Sequence, residues 1–323
     1  MVTTTAIADT DEKTSFLKQL LMEIFAPVSF IGRLLLNRNK KIKVGYSEST
    51  ATSKDQTTSV NGDESLIDQE VWPELRLSIC ERLWGDGCLN PFTAEYVNGA
   101  LRVLDVDESK SLLQLGSGLG GTTRSMVEQL GVWVTGYEVS EDLLEIAKKR
   151  NQMAGLTKKA AISRLRPEAP KFKENSFNAA LIFECMTPIE DKIMIINSIA
   201  ASLRENGHFI MADFVLPSSD PPNELVRNWY GYEPEKPKLW TARRTYDAIK
   251  NAGLEVRIAE DFTAEYRSMV LTGWLKLLSG LSKIELTPDF AHALIKECEY
   301  WIFRVAALDS GGLKVYRYHA IKE

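Results

Sequence analysis

The chain has 323 residues, 44% hydrophobic and 26% charged, values that exclude a disordered or fibrous protein. With 39 Lys and Arg against 44 Asp and Glu, the formal net charge of −5 argues against a nucleic-acid partner, which would call for a basic patch. Cys80, Cys88, Cys185 and Cys298 form no CxxC pair, so a structural zinc site is not expected. Free thiols in a reducing compartment are the simple reading, and a cytoplasmic protein is expected.

The first residues, MVTTTAIADTDEKTS, lack the basic and apolar regions of a secretory signal. Residues 16–36 are the most apolar stretch but contain Lys18, Glu23, Pro27 and Arg33, which makes a spanning helix a poor reading. Phe16, Leu17, Leu20, Leu21 and Ile24 share one helical face, which Pro27 ends or kinks. That face is expected to pack on the main domain or on a second copy in a homodimer. The alternative is peripheral membrane contact, aided by Arg33, Arg38, Lys40, Lys41 and Lys43. Residues 37–65, rich in Ser, Thr, Lys and Asp, read as a flexible linker. The expected division is therefore a helix and linker over 1–65 and a main domain over 66–323.

From residue 66 the pattern becomes regular. A helix is predicted over about 68–83, a glycine turn at Trp84–Gly87, and a helix over about 92–104. Strand and helix signals then alternate. An apolar strand running into a glycine loop is predicted over 111–121 and further strands at 132–139, 160–165, 177–184 and 207–216, with helices at 122–131, 140–155 and 189–204. Ser140 caps its helix and carboxylates fill the first turn. A helix at 244–252 and a strand at 254–262 follow. Helices at 265–281 and 288–308 then precede a last strand at 313–322, which suits an edge position and an antiparallel pairing. The rhythm implies an α/β fold: a mostly parallel sheet with helices on both faces.

Gly116, Gly118, Gly120 and Gly121 follow a buried strand and open a helix. Glycine permits the tight turn and a close ligand approach, and the helix start offers unpaired N–H groups. Glu138 ends the next strand, about 20 residues on, where a carboxylate can accept both ribose hydroxyls. A nucleoside-containing cofactor is implied. Gly116, Gly118 and Gly121 also satisfy GxGxxG, so the loop alone leaves a dinucleotide open.

The blocks LLQLGSGLGG, GYEVSEDLLEIA, ENSFNAALIFECM and SLRENGHFIMADF resemble, in order and spacing, those of class I S-adenosylmethionine-dependent methyltransferases. The resemblance implies a Rossmann-like sheet with an antiparallel last strand. It implies S-adenosylmethionine as cofactor, with Gly116, Ser117, Gly118 and Gly120 around its methionine and ribose. By the same resemblance Glu138 binds the ribose, Val139 flanks the adenine, and Phe183 and Glu184 sit at the methyl-transfer centre. Three positions depart from that pattern. Gln114 stands where an acid is usual, Asn178 replaces the usual Asp, and RLRPEAP (164–170) lacks the acid that meets the adenine amine. Residues 83–97 are similar to the opening segment of phosphoethanolamine N-methyltransferases, but Cys88 takes its Tyr position and Pro188 stands near its His.

Methyl transfer needs alignment and water exclusion, and a base only when the acceptor loses a proton. His208, His292 and His319 read as structural or solvated, and no His/Asp/Glu cluster suggests a metal. Sulfur attacks without a base, and aromatic faces stabilise the positive charge involved. Insertions at about 217–243 and 265–311 supply aromatic and Arg side chains that cap the substrate. From these and the opening segment come Tyr96 and Tyr266, joined by Glu184 from the resemblance, as candidate catalytic residues, and Trp240 and Arg267 as candidate substrate contacts. The acceptor expected is a small thioether acid such as 4-methylthio-2-hydroxybutyrate, in a reaction similar to that of dimethylsulfoniopropionate synthesis. The alternatives are N-methylation of an amine or phospholipid head group, and a binding module of this fold without chemistry.

Overall fold

A computed structural model describes residues 71–102, 104, 106–281 and 287–323. The amphipathic segment 16–36 and the linker 37–65 lie outside them. The chain divides into two units, Met1–Pro73 and Glu74–Glu323, and the fold below is that of the second.

Helices α1 (Glu74–Trp84) and α2 (Ala94–Arg102) precede the sheet. Then come β1 (Ser111–Leu115), α3 (Gly121–Leu130), β2 (Trp133–Glu138), α4 (Glu141–Met153), β3 (Ala160–Arg164), β4 (Phe177–Phe183), α5 (Lys192–Ser202) and β5 (Leu203–Val215). The chain continues through α6 (Glu224–Tyr230), α7 (Ala242–Asn251), β6 (Leu254–Asp261), α8 (Thr263–Gly280), α9 (Pro288–Asp309) and β7 (Lys314–Lys322). Local chemistry sets several boundaries. The Ser140 hydroxyl accepts the Leu143 N–H at the start of α4, and Thr287 does the same for Phe290 at α9, where Pro288 fills the first turn. Gly131 closes α3 in the left-handed conformation.

The seven strands lie in the order β3-β2-β1-β4-β5-β7-β6. The first five are mutually parallel, and β7 runs antiparallel to both β5 and β6. The last strand is thus antiparallel, as the sequence suggested, but it is not an edge. It inserts between β5 and β6, and β6 forms the border with most of its residues exposed. His208 lies within β5, opposite Ile321, and its Nδ1 is 2.9 Å from His319 Nε2.

Strand alternation divides the core. Leu113, Leu115, Ala180, Ile182, Phe209, Met211, Tyr318 and Ala320 face Ile195, Ile196 and Ile199 of α5 and Ile249 of α7. Residues one step out of phase, among them Gln114 and Phe183, face the other side. There α8 and α9 pack against α1, and α9 packs against α6, a short helix that the sequence did not single out. Strand order reverses between β1 and β4, so the crevice beyond their carboxyl ends is where a ligand of such a sheet binds.

Candidate functional site

Gly116, Gly118 and Gly120 have φ of 70°, 53° and 78°, a region closed to most side chains and natural for glycine. The turn is tied to β2, because Gly116 N–H and Ser117 N–H both donate to the Tyr137 carbonyl. The Glu138 carboxylate lies against the loop. One oxygen accepts Gly118 N–H at 2.7 Å and the other Ser140 N–H at 2.9 Å. Each retains a second lone pair for a hydroxyl. Ser117 Oγ is buried without a partner. Burial pushes the Glu138 carboxyl upward against these backbone donors. Val139 follows, half-buried against the core.

Two departures from the methyltransferase pattern have local explanations. Gln114 is buried, donates to Thr122 Oγ1 at 2.5 Å and accepts from Thr123 Oγ1 at 2.7 Å. An amide can do both, whereas an ionised acid can only accept. Asn178 accepts Ser111 N–H at 3.0 Å and so joins the start of β4 to that of β1.

The segment between α1 and α2 lies over the glycine loop. Gly121 N–H donates to the Gly87 carbonyl, and a Cβ on Gly118 would lie 3.2 Å from Leu89 Cδ1. Glu81 accepts Gly87 N–H at 2.7 Å and pairs with Arg150. Arg124, on the first turn of α3, donates to the Leu119 carbonyl and Asn151 and reaches Asp86 at 3.5 Å. The remaining cavity, of about 30 Å³, is lined by residues including Cys88, Leu89, Phe92, Gln114, Ser117, Gly118 and Phe183.

Beyond β4 the backbone turns sharply. Glu184 has φ 48°, a left-handed conformation that costs a non-glycine residue energy and clusters at functional sites. Asp213, buried at the end of β5, fixes the turn by accepting Cys185 N–H at 3.0 Å, Met186 N–H at 2.7 Å and the Thr187 hydroxyl at 2.9 Å. The Glu184 side chain is buried. It accepts the Tyr266 hydroxyl and faces Arg304 Nη1 at 3.5 Å. Burial pushes its carboxyl up to about 8, and the Arg304 charge opposes the rise. Arg304 also donates to Glu233 at 2.8 Å and to the Tyr300 oxygen. Glu233 accepts Tyr300 at 2.9 and 3.0 Å and the Trp229 indole N–H as well.

An aromatic cluster separates this polar group from the glycine loop. Phe92 stacks on Phe183 at 4.8 Å between ring centroids and lies 5.3 Å from Tyr96 and 5.7 Å from Tyr266. Of the residues picked from sequence, Tyr96, Phe183, Glu184 and Tyr266 are therefore brought together. Trp240 and Arg267 are not. Trp240 packs on the other face of the sheet with Leu113, Leu115 and Ile182. Arg267 forms a two-pronged pair with Asp309, at 2.6 and 3.0 Å, that joins α8 to α9. Among the described residues, no group of three or more His, Cys, Asp or Glu is placed to hold a metal ion.

Residues 94–258, just over half of the chain, match the family described as "Methyltransferase domain". The chain belongs to that family. It is similar to Phosphoethanolamine N-methyltransferase 1 of Zea mays, with 23% identity over 71% of this chain and 43% of that protein. The chain spans about half the length of the curated relatives it matches. Among solved structures, Haemonchus contortus Phosphoethanolamine N-methyltransferase 2 in complex with S-adenosyl-L-methionine superposes with a TM-score of 0.64 at 17% identity, over 76% of this chain and 56% of that one. The [4+2]-cyclase SpnF superposes at 0.55 with 17% identity, over 71% and 81%. At these identities the likeness is one of fold, and chemistry has to be argued from the site.

Sequence reasoning did not select Asp213 or Glu233, and Arg304 entered it only among the arginines of the 265–311 insertion. Asp213 stood within a recognised block, in ADF, and its isolated acid inside an apolar strand was the available signal. Glu233 carried no comparable mark.

Proposed function

We propose that this protein transfers a methyl group from S-adenosylmethionine to the nitrogen of a small amine. The observation that carries the reading is the buried Tyr266–Glu184 pair, one residue beyond Phe183 and across an aromatic cluster from the glycine loop. Family membership and relatives named N-methyltransferases support the same chemistry.

The cofactor's donor set is available. Gly116, Gly118 and Gly120 would let it approach the backbone, Ser117 Oγ lacks a partner, and Glu138 keeps lone pairs for the ribose. The space is not: ligands of this size occupy roughly 300 Å³ or more, against the cavity of about 30 Å³. Gly85–Phe92 must therefore swing aside to admit it. When bound, S-adenosylmethionine supplies an electrophilic methyl group on a sulfonium.

This chain's residues then have separable tasks. Phe92, Tyr96 and Phe183 exclude water and offer ring faces to the developing cation. Glu184 takes the ammonium proton of the acceptor and so frees the nitrogen lone pair. Tyr266 donates to one Glu184 oxygen and orients the carboxylate, while Asp213 holds the turn beneath it. A base raised to about 8 is well matched to an ammonium acid near neutral pH.

The test is turnover of labelled S-adenosylmethionine with amines and with thioether acids, the acceptors read from sequence. An amine rate that rises with pH through about 8 and is lost in Glu184→Gln supports the proposal. Turnover of thioether acids alone, unaffected by Glu184→Gln, overturns it, because sulfur has no proton to lose.

A further inference from the structure

Arg304 is the buried cation of the polar group behind the aromatic cluster. It lies 4.9 Å from the centre of Phe214, 4.5 Å from Tyr300 and 4.7 Å from Trp301. A guanidinium in such a place is the natural receiver of a substrate phosphate or carboxylate. Here it already has acidic partners. Glu233 lies 2.8 Å from Nη2, and Glu184 lies 3.5 Å from Nη1. Glu233 is itself held by the Trp229 indole N–H and by the Tyr300 hydroxyl shared between its two oxygens, so withdrawing it would strip both donors of their acceptor. Two other guanidiniums set over aromatic rings are also matched, Arg76 over Tyr300 by Glu297 and Arg317 over Phe262 by Glu260.

The charge count is unfavourable to an anion. Arg304 against Glu233 alone gives no net charge, and ionising Glu184 leaves one negative. An incoming phosphate would face two carboxylates in a buried medium that screens like charges poorly. An ammonium is favoured by the same arrangement. Arg304 Nε, buried without a partner, leaves one donor that an uncharged oxygen can satisfy.

We infer that the acceptor is an amine carrying an uncharged oxygen, such as an amino alcohol, and that the Glu184–Arg304–Glu233 bridge excludes its phosphorylated or carboxylated counterparts. The inference rests on the proposed function, since it takes the Glu184 chamber as the acceptor site. It departs from the phosphate-bearing substrate in the names of the relatives.

The experiment is calorimetric binding of matched acceptors to the full chain saturated with S-adenosylhomocysteine. The pairs are ethanolamine against phosphoethanolamine and glycinamide against glycine. Binding of ethanolamine and glycinamide at least tenfold tighter than their anionic partners supports the inference. Tighter binding of the anionic members overturns it, as does binding of neither member of either pair. Glu233→Gln, which releases Arg304 from its firmest partner, is expected to narrow the discrimination at least tenfold, and an unchanged ratio would contradict the role given to the bridge. The wild-type comparison stands even if that variant does not fold. Failure of S-adenosylhomocysteine to bind would instead remove the proposed function, and this inference with it.

Discussion

Glu184 combines a left-handed backbone, a buried side chain and a phenol partner, and each constrains what its replacement can do. Glu184→Gln keeps the shape and removes the base. It is expected to lower kcat by about 10²–10⁴-fold, the usual range for general-base loss, with cofactor affinity unchanged. Steady-state kinetics and cofactor titration check both halves. Stability should move as well. Burial raises the folded carboxyl from its usual 4.5 to about 8. Its stabilising contribution is therefore complete below about 4.5 and is lost as pH rises through 8. Denaturant midpoints of Glu184→Gln should fall less steeply over that interval than those of wild type. The need for a buried acid at this position was legible only through the family resemblance. The partners were not, because Arg304 and Glu233 lie 71 residues apart and meet only through the packing of α9 on α6. Arginine in an amphipathic helix carries no local sign of whether it will be solvated or buried.

The Gly85–Phe92 segment is fixed to the glycine loop through contacts that tolerate no side chain. A Cβ on Gly121 would lie 2.2 Å from the Asp86 carbonyl and 2.5 Å from the Gly87 carbonyl carbon. Gly121→Ala should push the segment away, at about 1–3 kcal/mol of overpacking cost. Proteolysis within 85–92 is expected to accelerate and S-adenosylhomocysteine to associate faster. Unchanged protection would argue that the segment is not the barrier. At this scale the sequence was most informative where signals are local: a strand, four clustered glycines, a helix, and an acid at the end of the next strand. It was least informative about β7. The alternating pattern of LKVYRYHAIK describes a strand with two unlike faces, but neighbour order depends on where β6 pairs, which periodicity does not encode. The helix α6 escaped for a similar reason: at seven residues it is too short for a reliable repeat.

For the whole molecule, the proposed cofactor site lies at the sheet's carboxyl edge, where the ends of β1, β2 and β4 supply the glycine loop, Glu138 and Phe183. Binding there should stabilise the unit Glu74–Glu323 by mass action. At one hundred times Kd the gain is about 2.7 kcal/mol, or roughly 5–10 °C in Tm for a unit of this size. A thermal melt with S-adenosylhomocysteine reads this directly. No helix among the described residues is long and apolar enough to cross a membrane. The most direct test is calorimetric titration of S-adenosylmethionine into wild type and Glu138→Ala. One cofactor per chain, bound about 10–100-fold more weakly once the carboxylate is lost, is the expected result, given roughly 1.5–3 kcal/mol for charged hydrogen bonds. Equal affinity in the two proteins, or no binding to wild type, would contradict it.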